Sequence, residues 1–482
     1  MIFISFWFYV LVAVLFLAYY VTPIRHRWIV LLVGSLGFYF YLSEYSKKKL
    51  LILIAMAFCT WIINKLLGES EKHRKLLLIC AICASAVPLL VIKDTGFVMG
   101  ITTHRALPEW WIAPIGISFF SLQLISYSVD VFKGTIQYER NFLKFLLFAS
   151  YFPQIVQGPI PRYSQLSGQL YEGHRFDEEK ITKGFMLIIW GFFLKLCLAD
   201  KAAVIVDTIF DNYETYKGAY VLIGGVLYSL QLYADFLSCT TFAQGVSALF
   251  GIELVDNFNH PYFATSIKDF WRRWHISLSS WLRDYIYIPL GGNRKGIGRK
   301  YINVLITFFV SGVWHGAGFN FLFWGLLHGL YQVIGELLQP VRDKLSDVLK
   351  IYNVSRVYVY VERLVTFFLV MLAWIIFRVE SLTAGLRMIA SMFTVRNPWI
   401  FSNDSLYSLG LEWKEFYILI VGIVVLICVS VAQEKGYKIR DAVLKSPMLA
   451  RWFVYICAIL VVMIFGTYGW GFDAQDFIYG GF

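Results

Sequence analysis

Long apolar runs separated by short polar loops extend from one end of the chain to the other. Residues 2–21, 50–67, 76–92, 184–198 and 220–237 are almost wholly apolar, and so are 301–338, 364–377, 416–431 and 452–468. One helical crossing of a bilayer needs about 20 largely apolar residues, so most of these runs each predict a single span. The 301–338 run is too long for that. At about 1.5 Å per residue it would reach nearly twice the depth of a ~30 Å hydrocarbon layer. It is therefore expected to go out and come back, bending at Gly316 and Gly318. The first run lacks the basic start and small-residue exit of a cleaved signal peptide and is expected to persist as a span. The pattern predicts an all-α, polytopic integral membrane protein with about ten or eleven transmembrane helices. Because the runs occur along the whole length, residues 1–482 are read as a single membrane domain.

Composition strengthens this reading. Hydrophobic residues make up 58% of the chain and charged ones 16%, against roughly 45–50% and about 25% in soluble domains. The net charge of +11 raises nucleic acid as a partner, but the basic residues sit in short loops rather than on one face or tail. Membrane orientation accounts for them better, since cytoplasmic loops are enriched in Lys and Arg. The loop carrying Arg294, Lys295, Arg299 and Lys300 has no acid and is assigned to the cytoplasm. The 301–338 hairpin then returns near Arg342 and Lys344, a further span leads out to Asn403 and Asp404, and the next comes back to Lys435, Lys438, Arg440 and Lys445. The last span carries the tail 472–482 outward. In the first half the rule is indecisive, because basic residues fall on alternating sides. Cys80 and Cys83 form a CxxC with no second pair, so they are assigned to packing and no metal is expected.

Several segments carry candidate chemistry. Val313-Trp314-His315-Gly316 places an ionisable side chain in a stretch otherwise suited to lipid. That is costly, so His315 is a functional candidate facing protein or water; the alternative is that it bonds a carbonyl freed by the glycine bend. In segment 269–285, Phe270, Trp271, Trp274, Leu278, Trp281, Leu282 and Tyr285 recur at helical spacing, which predicts one amphipathic helix lying at the bilayer surface. His275 falls at the edge of its apolar stripe. The Pro- and Gly-broken stretches 113–120 and 152–161 are expected to be buried in protein or to line a cavity, as irregular backbone at membrane depth must.

These segments resemble the membrane-bound O-acyltransferases, specifically the branch of bacterial alginate O-acetyltransferases and teichoic-acid D-alanyltransferases. The likeness covers nearly the whole chain. It is carried by Pro114-Ile115-Gly116-Ile117-Ser118-Phe119, Gly158-Pro159-Ile160, Asp256-Asn257-Phe258-Asn259-His260-Pro261-Tyr262, the 270–292 block and the WHG at 314–316. The resemblance implies helices in a ring, with re-entrant and interfacial helices around a central tunnel joining donor and acceptor sides. It implies that His315 is the catalytic histidine and His275 the second characteristic one, with Trp314, Trp271 and Arg272 along the tunnel. The tail Asp476-Phe477-Ile478-Tyr479 resembles a C-terminal aromatic motif of this branch, making Tyr479 a candidate acyl relay; as an interfacial aromatic it would need no such role. Gly480 and Gly481 depart from that motif, and Asp235-Phe236-Leu237-Ser238 departs from the Gly and Tyr that relatives carry after the Asp-Phe pair.

The chemistry agrees with the resemblance. Acyl transfer to a hydroxyl needs a base, and a desolvated imidazole stays neutral and able to accept a proton. The expected function is O-acetylation of an exported or cell-envelope polysaccharide from a cytoplasmic thioester, by a multi-pass protein of the bacterial cytoplasmic membrane. The donor is expected to be acetyl-CoA or an acyl carrier protein, attracted by Arg294 and Lys295, although ordinary positive-inside residues would look the same. No permanently bound cofactor is expected. Partners implied by the resemblance are an extracytoplasmic acyl-transferring protein and a glycan acceptor, beside membrane lipids and without nucleic acid. D-alanyl, lipid or protein acyl transfer shares the chemistry. A transporter would also use broken helices and midplane ionisable residues, but leaves the WHG and WRRWHIS blocks unexplained.

Overall fold

The computed structural model describes residues 2–103, 113–316, 318–348 and 356–468. Within them every regular element is helical, so the chain is all-α. Seven helices are long and apolar enough to cross a membrane: Lys47–Glu69, Arg74–Lys93, Glu178–Asp211, Ala219–Leu249, Val357–Arg378, Trp413–Glu434 and Met448–Phe465. Phe6–Val21 is a shorter apolar helix, and the long 301–338 run forms two antiparallel arms, Ile297–His315 and Phe319–Leu337. The chain is a multi-pass membrane protein. Leu51, Val421 and Ile464 stand exposed on their helices, as side chains facing lipid must.

The described residues form two compact units, one drawn from Met1–Gly191 and Cys239–Asp256, the other from Phe192–Ser238 and Asn257–Gln475. In the first, polar side chains bond between apolar helices. Thr60 meets Ser85 at 3.2 Å, and Asn64 donates to Ser128 at 2.8 Å, contacts that join helices where lipid supplies no hydrophobic drive. In the broken stretch 152–161, Phe152 and Ile155 are fully buried. Its backbone finds partners there: the Phe152 amide donates to the Ser35 hydroxyl at 3.1 Å and the Gly158 amide to the Gln154 carbonyl at 3.0 Å. The irregular backbone of this second stretch is thus buried in protein, as expected.

In the second unit, the hairpin arms meet backbone to backbone. A Cβ on Gly325 would lie 2.4 Å from the Phe308 carbonyl oxygen, and one on Gly312 would lie 2.6 Å from that of Phe321. Glycine at these two positions lets the arms approach closely enough to bring His315 and the second arm's side chains into one layer. Against this hairpin packs helix Arg356–Arg378, contributing buried Trp374 and Phe377.

Segment 269–285 corrects the sequence reading. In place of one surface helix there are two short ones, Ile267–Arg273 and Ile276–Leu282, separated at Trp274 and His275. His275 adopts the left-handed conformation, φ 43° and ψ 55°. The break is sustained by the Asn257 to Asn259 segment. The Ile276 amide donates to the Asn257 carbonyl at 2.9 Å, the Ser277 amide to Asn257 Oδ1 at 3.2 Å, and the Asn259 amide to the Arg273 carbonyl at 2.9 Å. Periodicity survives the kink because both pieces bury the same stripe: Phe270, Trp274, Leu278 and Trp281 are all buried in protein.

Candidate active site

The described candidate residues all lie in the second unit. His315 ends the first hairpin arm and is 2% exposed. Its ring meets Trp314 at 4.7 Å and stands edge-on to Trp324 at 4.9 Å and Phe377 at 5.3 Å. Trp314 also faces His275, at 6.2 Å, so one indole separates the two histidines that the sequence singled out. The His275 ring packs edge-on against Phe236 at 4.7 Å. Both of its nitrogens are buried without a hydrogen-bond partner, and burial pushes its pKa down to about 3. Desolvation thus keeps the imidazole neutral.

The left-handed backbone at His275 yields a prediction. His275→Asn, a residue that tolerates this conformation, should keep a near-native thermal midpoint, whereas His275→Val should lose a further ~1–2 kcal/mol to steric strain. Equal midpoints for the two variants would show that the kink relaxes freely.

A cavity of about 1040 Å³ lies beside this layer. Trp271 and Arg272 line it, together with Lys268, Arg283, Lys300 and Arg342; Glu336 and Glu362 are also in its wall, and Glu336 pairs with Lys300. Trp314 is not in that wall, and neither are Arg294 and Lys295, which are exposed in the loop before the hairpin next to wall residue Asn293. Tyr479 lies outside the described residues.

Two further sets of buried polar residues, of which the sequence marked only Asp235, complete the unit. His328, on the second hairpin arm, is fully buried, and its Nδ1 accepts the Trp271 indole N–H at 3.2 Å. Its signal was present: Trp324 and His328 stand four apart on an apolar helix, where an ionisable residue is as unusual as His315. The second is an ion triad. Lys195 Nζ lies 2.9 Å from Asp200 Oδ1 and 3.0 Å from Asp235 Oδ1, with all three side chains 2–4% exposed. Lys195 sits in a π-helical turn, Phe193–Ala199, a widening that lets one side chain leave the regular helical face.

Residues 41–368 match the membrane-bound O-acyltransferase family, a span that contains His275, His315 and His328. The chain belongs to that family. Among relatives of this membrane-bound O-acyltransferase is the probable alginate O-acetylase AlgI of Pseudomonas fluorescens, 33% identical over 379 residues that cover 78% of this chain and 72% of the relative. The peptidoglycan O-acetyltransferase of Helicobacter pylori is 31% identical over 408 residues, covering 78% and 75%. A teichoic acid D-alanyltransferase of Bacillus subtilis is 28% identical over 296 residues, covering 58% and 74%. Both the matched relatives and the family make this chain an enzyme, an O-acyltransferase.

Proposed function

We propose that this enzyme O-acetylates an exported or cell-envelope polysaccharide, taking the acetyl group from a cytoplasmic thioester. The observation that carries the reading is the pair of buried histidines flanking Trp314, set beside a cavity with five basic residues in its wall. In the reaction, His315 takes the proton of the attacking hydroxyl. The hydroxyl oxygen bonds to the thioester carbonyl carbon, the carbon–sulfur bond breaks, and the proton passes to the departing thiolate. General-base action of this kind is worth about 10²- to 10⁴-fold in rate. His275 assists by positioning or by proton exchange.

The cationic cavity wall, with Arg294 and Lys295 in the neighbouring loop, suits an anionic donor such as acetyl-CoA or a phosphopantetheinyl carrier protein. The polysaccharide acceptor rests on the alginate and peptidoglycan relatives. The resemblance adds an extracytoplasmic acyl-transferring partner, residence in the bacterial cytoplasmic membrane, and Tyr479 as a transient acyl carrier. The D-alanyl relative supports a second reading, in which the same site moves D-alanine.

The test supplies radiolabelled acetyl-CoA to membranes carrying the enzyme and follows label into polymer and into the protein. Label is expected as an alkali-labile ester on exported glycan. Label that crosses without forming a covalent product would mean transport, and label entering only with a D-alanyl donor would favour the second reading. Tyr479→Phe should abolish any label held on the protein; full transfer in that variant removes the relay and leaves the rest intact.

A further inference from the structure

The residue that the proposed reaction leaves unused is His328. It reaches its place because Gly325 and Gly329 face the first hairpin arm without side chains, the Gly325 position meeting the Phe308 carbonyl. There the imidazole is walled by rings. Trp271 stands perpendicular to it at 5.1 Å, Trp324 lies at 5.1 Å, and Phe270 is parallel at 6.4 Å. A leucine would fill such a volume without burying polar atoms. The histidine does something a leucine does not: Nδ1 accepts the indole N–H of Trp271 at 3.2 Å. That bond places the imidazole proton on Nε2.

Trp271 occupies a dividing position. One side of it lines the cavity, along with Phe308, whose ring is 5.2 Å away. On the other side its ring meets Trp324 at 5.7 Å, and Trp324 meets His315 at 4.9 Å. One chain of ring contacts from the cavity to His315 passes through the two indoles in succession, and the other, through Phe308 and His328, also ends on Trp324. Burying an indole N–H costs less with an acceptor than without one, and Trp271 has one where the neighbouring buried indoles of Trp324 and Trp374 have none. The orientation of the first indole thus depends on His328.

We infer that His328 is a positioning residue for acyl transfer: by accepting the Trp271 indole proton it fixes the aromatic partition between the cavity and His315. The inference rests on the acyl-transfer reading above. A partition held in one orientation leaves a passage of one size, so loosening it changes which acyl groups cross rather than only how fast.

The experiment uses the full-length enzyme in membranes, with radiolabelled acetyl-, butyryl- and hexanoyl-CoA as donors. His328→Leu removes the acceptor. Trp271→Phe removes the donor but keeps a ring, and His328→Asn keeps an acceptor oxygen close to the Nδ1 position. His328→Leu and Trp271→Phe are each expected to raise the hexanoyl-to-acetyl transfer ratio by about tenfold, the lower end of what an apolar pocket discriminates for one methylene, across acyl chains that differ by four. The double variant should match either single one, and His328→Asn should stay within about twofold of wild type. An unchanged ratio in Trp271→Phe, or additive effects in the double variant, overturns the latch. Trp271→Phe decides the matter even if His328→Leu fails to fold. Wild type that transfers no acyl group from any of the three thioesters would sink the underlying reaction instead, a result distinct from active wild type with unmoved ratios.

Discussion

His315→Gln is expected to lower acetyl transfer by about 10²- to 10⁴-fold, the contribution of a positioned general base, while the protein still accumulates in the membrane. Glutamine is chosen over alanine because His315 is packed among Trp314, Trp324 and Phe377. Emptying that volume would add a cavity penalty to the chemical loss. Glutamine fills much of the space and can bond, but cannot take up a proton near neutral pH. The loss should fall on turnover and be of similar size with every acyl donor, since the missing step is proton removal from the acceptor hydroxyl. Initial rates of label entering polymer measure it, alongside the thermal midpoint of the solubilised protein. A rate within about threefold of wild type, at an unchanged midpoint, would exclude His315 as the base.

Lys195→Met should be the most destabilising single change in the second unit, at about 3–5 kcal/mol. Lys195 is the cation between Asp200 and Asp235, and all three side chains are almost inaccessible to water. Removing it leaves two carboxylates facing each other without compensation, which is far costlier than the original pair was favourable. Replacing all three with apolar residues of similar size should recover much of the loss, because no charge then remains to be desolvated. Activity should not recover in parallel. Asp235 precedes Phe236, whose ring supports His275 at 4.7 Å, so the triad also sets where the second histidine sits. Thermal midpoints of the single and triple variants, with transfer rates, check both parts. A Lys195→Met protein as stable as wild type would show that water reaches the triad.

Much of the architecture was legible in the residue pattern, because a bilayer imposes simple demands. A span must be apolar for about 20 residues and must satisfy its own backbone bonds. That requirement alone marked the runs that became the long helices, and it forced 301–338 into the hairpin that is found. The cost of an ionisable group in such a run marked His315, and the same rule applied to 184–198, 220–237 and the second hairpin arm marks Lys195, Asp235 and His328 as well.

Which of these groups meet was decided by folding, since periodicity records the face a residue occupies but not what lies opposite. Segment 269–285 shows the difference. Its aromatic spacing is that of a single helix, yet hydrogen bonds to Asn257 and from the Asn259 amide favour a left-handed turn at His275. That turn sends the imidazole inward to Phe236 and Trp314. The partnership of Trp271 with His328 spans 57 positions, and that of Lys195 with Asp235 joins two separate helices. Hydropathy along a chain dictates which segments enter the membrane, because transfer free energy is a sum over local residues. The pairing of buried polar groups depends on distances between helices, and only the packed tertiary structure supplies those.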